Sequence, residues 1–137
     1  MAFKEDGARD WQDQLVISLN HSSTQNKLQF HHIFPKAVLE KKKSDLPSQK
    51  INDICNLVFI SGSTNRRISN KEPSIYLPDF IDKIGVGELQ KQCVPSDQSL
   101  WKVDDYESFL TKRRELIAEK LNKFIGHDQW GLSLIHI

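Results

Sequence analysis

The sequence predicts an α+β domain: a small two-stranded hairpin and a short helix, embedded in a mainly α-helical chain. Three observations carry this. Two short apolar runs, residues 28–34 and 57–60, have the β-branched and aromatic content of strands. The second run leads into Ser61-Gly62-Ser63, a turn after which Ser63 or Thr64 would cap a helix carrying Asn65 to Ser69. The C-terminal part holds an amphipathic stretch from Asp104 or Asp105 to about Ile125. Its apolar stripe is Tyr106, Phe109, Leu110, Ile117, Leu121 and Phe124.

The elements follow in order. Residues 1–14 are polar, with Trp11 expected to pack back onto the core, and residues 15–19 form a short strand-like run. Residues 21–27 read as a polar loop, so His21 is read as an exposed loop residue rather than a ligand. The first motif strand, 28–34, stops at Pro35, which cannot continue a ladder. Residues 36–43 have helical spacing, and 44–48 is a loop with Pro47. Ile51, Ile54 and Cys55 would share one face of a short helix or turn. Pro73 opens a helix, Pro78 starts a second piece, and Gly85 ends it. Tyr76, Phe80, Ile81 and Ile84 form the apolar side there. Residues 87–93 form a short helix, and 94–103 a loop anchored by Leu100 and Trp101.

At 137 residues the chain has a one-domain length, and 38% apolar content is enough for a modest core. The net charge of +1 is uninformative, but its distribution is not. Residues 36–71 hold eight Lys/Arg against three acids, +5, leaving −4 for the remainder. Positive charge gathered there is the footprint expected of a phosphate-binding surface. For Lys41, Lys42 and Lys43 a solvated helix face is the preferred reading. Cys55 and Cys93 are far apart, with no Cys-x-x-Cys, so neither a zinc ribbon nor a disulfide framework is expected. A reducing, cytoplasmic location follows. No run is apolar enough to span a membrane, and no internal repeat is visible.

The chemistry centres on His31-His32. Successive strand side chains point to opposite faces, so the two cannot share one role. One can face a metal while the other faces a substrate water. Phosphodiester hydrolysis needs both a cation on the phosphate oxygens and a base for the nucleophile. Imidazole serves in either capacity near neutral pH. Asn65 offers an amide oxygen to a hard divalent cation. Arg66, Arg67 and Lys71 follow within two turns and would bind flanking phosphates, as would Lys36. Taken alone, Asn56 and Asn65 would more often be a plain turn and cap. Lys112, Arg113 and Arg114 could touch DNA, though a solvated face explains them as well.

The order His31-His32, Asn56, Asn65 resembles the HNH, or ββα-metal, endonuclease motif. Residues 30–36 and 65–73 look like the C-terminal nuclease region of GmrSD-type restriction enzymes. So do Gly7-Ala8-Arg9-Asp10-Trp11 and Arg113-Arg114-Glu115-Leu116-Ile117, and the likeness covers roughly residues 7–125. The resemblance implies His31 and Asn65 as metal ligands, His32 as general base and Asn56 as the brace of loop and base. It implies a metal-dependent DNA endonuclease of a restriction or antiviral defence system. Mg2+ or Mn2+ is the expected ion, and the imidazole also admits Zn2+ or Ni2+. The alternative is a catalytically inactive nucleic-acid-binding module on the same fold. A structural zinc module using His21, His31, His32 and Cys55 lacks paired ligands at finger spacing.

Residues 1–131 read as a single nuclease domain, with the motif core at 28–73 and C-terminal helices at 73–125. Residues 132–137, Leu-Ser-Leu-Ile-His-Ile, match the translation of a sequencing adapter and are expected to be foreign, so His136 is excluded from the site. The related enzymes carry a large domain ahead of this one, so an NTPase-like N-terminal domain of the same chain is an expected partner besides DNA.

Overall fold

The computed structural model describes residues 28–126. Trp11, the 15–19 run, the His21 loop and the 132–137 tail lie outside the described residues. Strands β1 (Leu28–His32) and β2 (Leu57–Ser61) pair antiparallel, with His31 opposite Val58 and His32 opposite Leu57. Pleat alternation sets His31 on the side of Val58 and Ile60, which are buried. His32 shares the other face with Phe30 and Phe59, whose rings meet at 5.2 Å. β1 ends at His32, two residues earlier than expected. Ile33 and Phe34 are consecutive and both fully buried, so beyond His32 both faces of the chain are covered, while the Ile33 N–H still donates in register to the Asn56 carbonyl at 2.7 Å.

Helix α1 (Lys36–Lys42) and the one-turn α2 (Ser48–Ile51) cross from β1 towards β2, followed by a 3-10 turn at Ile54–Asn56. The expected common face of Ile51, Ile54 and Cys55 does not form. Ile51 and Cys55 are buried, but Ile54 is 61% exposed, because the chain breaks between helix and turn. Asp53 caps that turn by accepting from the Cys55 N–H at 2.8 Å. Helix α3 (Gly62–Ile68) follows β2 directly and packs against both strands. Its N-cap is Ser61, not Ser63 or Thr64: the Ser61 hydroxyl accepts from the Thr64 N–H at 3.1 Å. Ser61 is the last extended residue, which is the conformation a cap requires.

Helix α4 (Pro73–Ile84) is one piece and carries Pro78 inside, where a break was expected. The proline lacks the N–H for one helical bond. Burial of Tyr76, Leu77 and Phe80 around it offsets that loss. Gly85 closes α4 at φ 86°, which favours glycine. Helix α5 (Val86–Lys91) and two 3-10 turns, Gln98–Leu100 and Val103–Asp105, lead into the long α6 (Tyr106–Gly126). The second turn feeds straight into α6, so neither Asp104 nor Asp105 acts as a side-chain cap.

The core gathers where α6 packs on the turn ahead of β2 and on Phe34. Phe34 packs edge-on against Tyr106 and Phe109, at centroid distances of 5.1 and 4.9 Å. Trp101 is buried, and its indole N–H donates to the Pro95 carbonyl at 2.8 Å. The apolar stripe of α6 is buried only over its first half: Phe124 is 52% exposed. Among the described residues, no helix is long and apolar enough to cross a membrane.

Candidate active site

The two histidines end β1, and the chain immediately after them is held unusually firmly. Four backbone groups follow His32 in Ile33 and Phe34, and each has a partner. The Ile33 N–H donates to the Asn56 carbonyl at 2.7 Å, and the Ile33 carbonyl accepts from the Tyr76 hydroxyl at 2.7 Å. The Phe34 N–H donates to Asn56 Oδ1 at 2.7 Å, and Asn56 Nδ2 donates back to the Phe34 carbonyl at 3.1 Å. Asn56 Nδ2 also donates to the Ile51 carbonyl at 3.0 Å, and the residue has no exposed surface. A buried amide with its capacity filled in this way fixes geometry and has nothing left for a substrate.

Asn56 therefore braces the loop after His32, but no hydrogen bond joins it to the histidine ring. That contact comes from Asn52, whose Oδ1 lies 2.8 Å from His32 Nε2. Asn52 and Tyr76 are the residues that sequence reasoning missed. Tyr76 reads as part of an apolar stripe, and Asn52 as one polar residue within the short helix or turn over 51–55. Burial pushes the Tyr76 phenol well above its ordinary range, so it remains a donor to Ile33 at neutral pH.

A second buried polar residue supports the same region from behind. Arg113, on α6, is 1% exposed, against the expectation of a DNA-facing or solvated side chain. Its guanidinium donates to the carbonyls of Ile54, Cys55 and Leu57, the last turn before β2 and its first residue, and to that of Gln92. Those carbonyls converge on one point as the chain turns, and a planar five-donor cation can satisfy them together. Burial pulls its pKa down to about 10, with Cys93 and Cys55 acting in the opposite sense, so it stays charged near neutral pH. Arg114 is also occupied, pairing with Asp53 at 3.0 Å. Lys112 alone keeps to the surface, 3.9 Å from Glu115.

Asn65, Arg66 and Arg67 lie on α3, which is packed on the strand pair that carries His31. Asn65 is half-buried; Arg66, Arg67, Lys71 and Lys36 are exposed. Among the described residues, none of these four basic side chains is hydrogen-bonded or ion-paired to another part of the chain. The fold thus brings the two histidines, the α3 asparagine and the arginines to one hairpin-and-helix unit. Asn56 stands behind that unit as a structural post. Among the described residues, no three His, Cys, Asp or Glu side chains are grouped to hold a metal. His31 and Asn65 amount to one imidazole nitrogen and one amide oxygen. Such a set suits a divalent ion that fills most of its shell with water and phosphate oxygens, not a closed zinc site.

Likeness to known proteins gives the family. Over 80 residues, 58% of its length, the chain is 39% identical to "Uncharacterized protein MJ0686" of Methanocaldococcus jannaschii, of which the match spans 12%. No solved structure matches the chain significantly. Residues 8–133 match the model of the C-terminal domain of GmrSD restriction endonucleases. Since that match takes in both histidines, both asparagines and all of the described helices, the chain belongs to the family of GmrSD restriction endonuclease C-terminal domains.

Proposed function

We propose that this domain hydrolyses DNA phosphodiester bonds in the HNH manner, with His32 as general base and His31 and Asn65 holding a divalent ion, Mg2+ or Mn2+ by preference. The observation that carries the reading is the adjacency of His31 and His32 on opposite faces of β1, just ahead of a loop with no slack. A general base is useful only if held in one place, and the Asn56 and Tyr76 bonds hold the chain that bears it.

His32 takes the proton of an attacking water. The water oxygen bonds to phosphorus, and the bond from phosphorus to the leaving oxygen breaks. Bound between His31 and Asn65, the ion would stabilise the negative charge that develops on the phosphate. Arg66, Arg67, Lys71 and Lys36 bind flanking phosphates and set the register of the strand. Supporting this, all four are exposed and available, while the arginine that the fold needs for itself, Arg113, is buried elsewhere. In this reading residues 1–131 act as one nuclease domain, the small share of the archaeal relative that is matched suits a module in a longer chain, and an NTPase-like domain of the same chain is the partner proposed beside DNA. Defence against foreign DNA is the role this predicts.

Single-turnover cleavage with parallel metal titration tests it. His32→Ala should keep metal and DNA binding and lose cleavage by about 10²- to 10⁴-fold. His31→Ala should weaken metal binding, with partial recovery of cleavage in excess metal. Parent-like cleavage by both variants would overturn the assignment and favour a non-catalytic DNA-binding module.

A further inference from the structure

We infer that Asn52 is the positioning residue of His32: it keeps the ring hydrogen on Nε2 and leaves Nδ1 as the proton acceptor. The inference rests on the hydrolytic reading above and adds the part that Asn56 does not supply. An amide oxygen can only accept, so with Oδ1 at 2.8 Å from Nε2 the contact is satisfied by the tautomer that carries its hydrogen on Nε2. In a neutral imidazole the lone pair is then on Nδ1.

The backbone around Asn52 is pinned on both sides. The Lys50 carbonyl accepts from the Tyr106 hydroxyl at 2.6 Å, and the Ile51 carbonyl from Asn56 Nδ2 at 3.0 Å. The Asn52 N–H donates to the Ser48 carbonyl at 2.9 Å. Asp53 is held by Arg114 at 3.0 Å and by the Cys55 N–H at 2.8 Å. Asn52 itself is exposed, and among the described residues its side chain bonds only to His32. The fold thus spends side chains from α6 and the buried Asn56 on fixing this short stretch, yet does not use the Asn52 side chain for its own stability. An exposed amide at a helix end normally turns to water; this one reaches a ring twenty positions earlier in the chain. When Nδ1 takes the water's proton, the Nε2–H bond to Oδ1 persists and strengthens, because the donor has become cationic.

Long-range 1H–15N correlation of the His32 ring, on the metal-free full chain, tests the tautomer without reference to activity. The parent should show hydrogen on Nε2, Asn52→Ala a mixture of tautomers, and Asn52→Asp, which keeps an acceptor oxygen, the parent pattern. In single-turnover cleavage with Mg2+ or Mn2+, Asn52→Ala should lose about 10- to 10²-fold in rate, with DNA affinity, metal affinity and melting temperature unchanged. Asn52→Asp should recover most of that loss. Hydrogen on Nδ1 in the parent, or an unchanged tautomer in Asn52→Ala, would overturn the inference. So would an unchanged rate in Asn52→Ala beside a His32→Ala variant that has lost cleavage. If the parent cleaves no DNA, the nuclease reading fails, and the ring spectrum alone decides whether Asn52 positions His32.

Discussion

Arg66-Arg67 on α3 and Arg113-Arg114 on α6 read alike in the sequence: two adjacent arginines on an amphipathic helix. In the fold they have opposite fates. Arg66 and Arg67 are exposed and unpaired among the described residues, while Arg113 is sealed in the core against four carbonyls and Arg114 is tied to Asp53. The asparagines divide in the same way. Asn56 is buried with both ends of its amide bonded, and Asn65 stands half-buried on α3. A polar group whose bonds are filled by backbone supports the frame, and one with open capacity at the rim is free for a substrate. Residue type does not tell the two apart; the backbone that surrounds each residue does.

Breaking the buried half should have the largest effect. Arg113→Met removes the donors for four carbonyls, at about 1–3 kcal/mol for each one left dry. Even with relaxation, a loss of about 3–5 kcal/mol is expected, a large part of a small domain's stability. Denaturant unfolding would read it directly. A change below about 1 kcal/mol would mean that water replaces the guanidinium, and the comparison would fail.

The asparagine pair sharpens the contrast at smaller scale. Asn56→Ala should cost about 2–4 kcal/mol, since Phe34 and Ile51 lose their partners inside the core. Asn65→Ala should leave the midpoint of unfolding within about 0.5 kcal/mol and instead weaken metal binding. Parallel denaturation and calorimetric metal titration would show whether the two effects separate as stated.

The mildest effects belong to the rim arginines. Arg66→Ala or Arg67→Ala should leave melting unchanged and lower DNA affinity, with the slope of log affinity against log salt reduced by about one per variant. Unchanged slopes would remove these side chains from the phosphate-binding surface and leave them, unlike Arg113, without a role.

The sequence alone determined where the candidate residues sit locally, and the tertiary fold decided which partners they meet. That His31-His32 end a strand and that Asn65 lies on a helix was legible because adjacent strand positions must diverge and a capped turn must start a helix, both of which are local rules. The hairpin and the long C-terminal helix were legible for the same reason, and the family was legible from the resemblance of residues 30–36 and 65–73. Four outcomes depended on contacts between distant parts of the chain. Pro78 stays inside α4 because burial on both sides outweighs one missing bond. Beyond His32 both faces of the chain are covered, because Asn56 and Tyr76 hold Ile33 and Phe34 in the core. Arg113 is drawn inside because carbonyls from residues more than fifty positions away meet at its guanidinium. Asn52 meets His32 because α6 and Asn56 pin the loop between them. Each is a hydrogen-bond or packing requirement set by residues far away in sequence, and local periodicity contains no term for such partners.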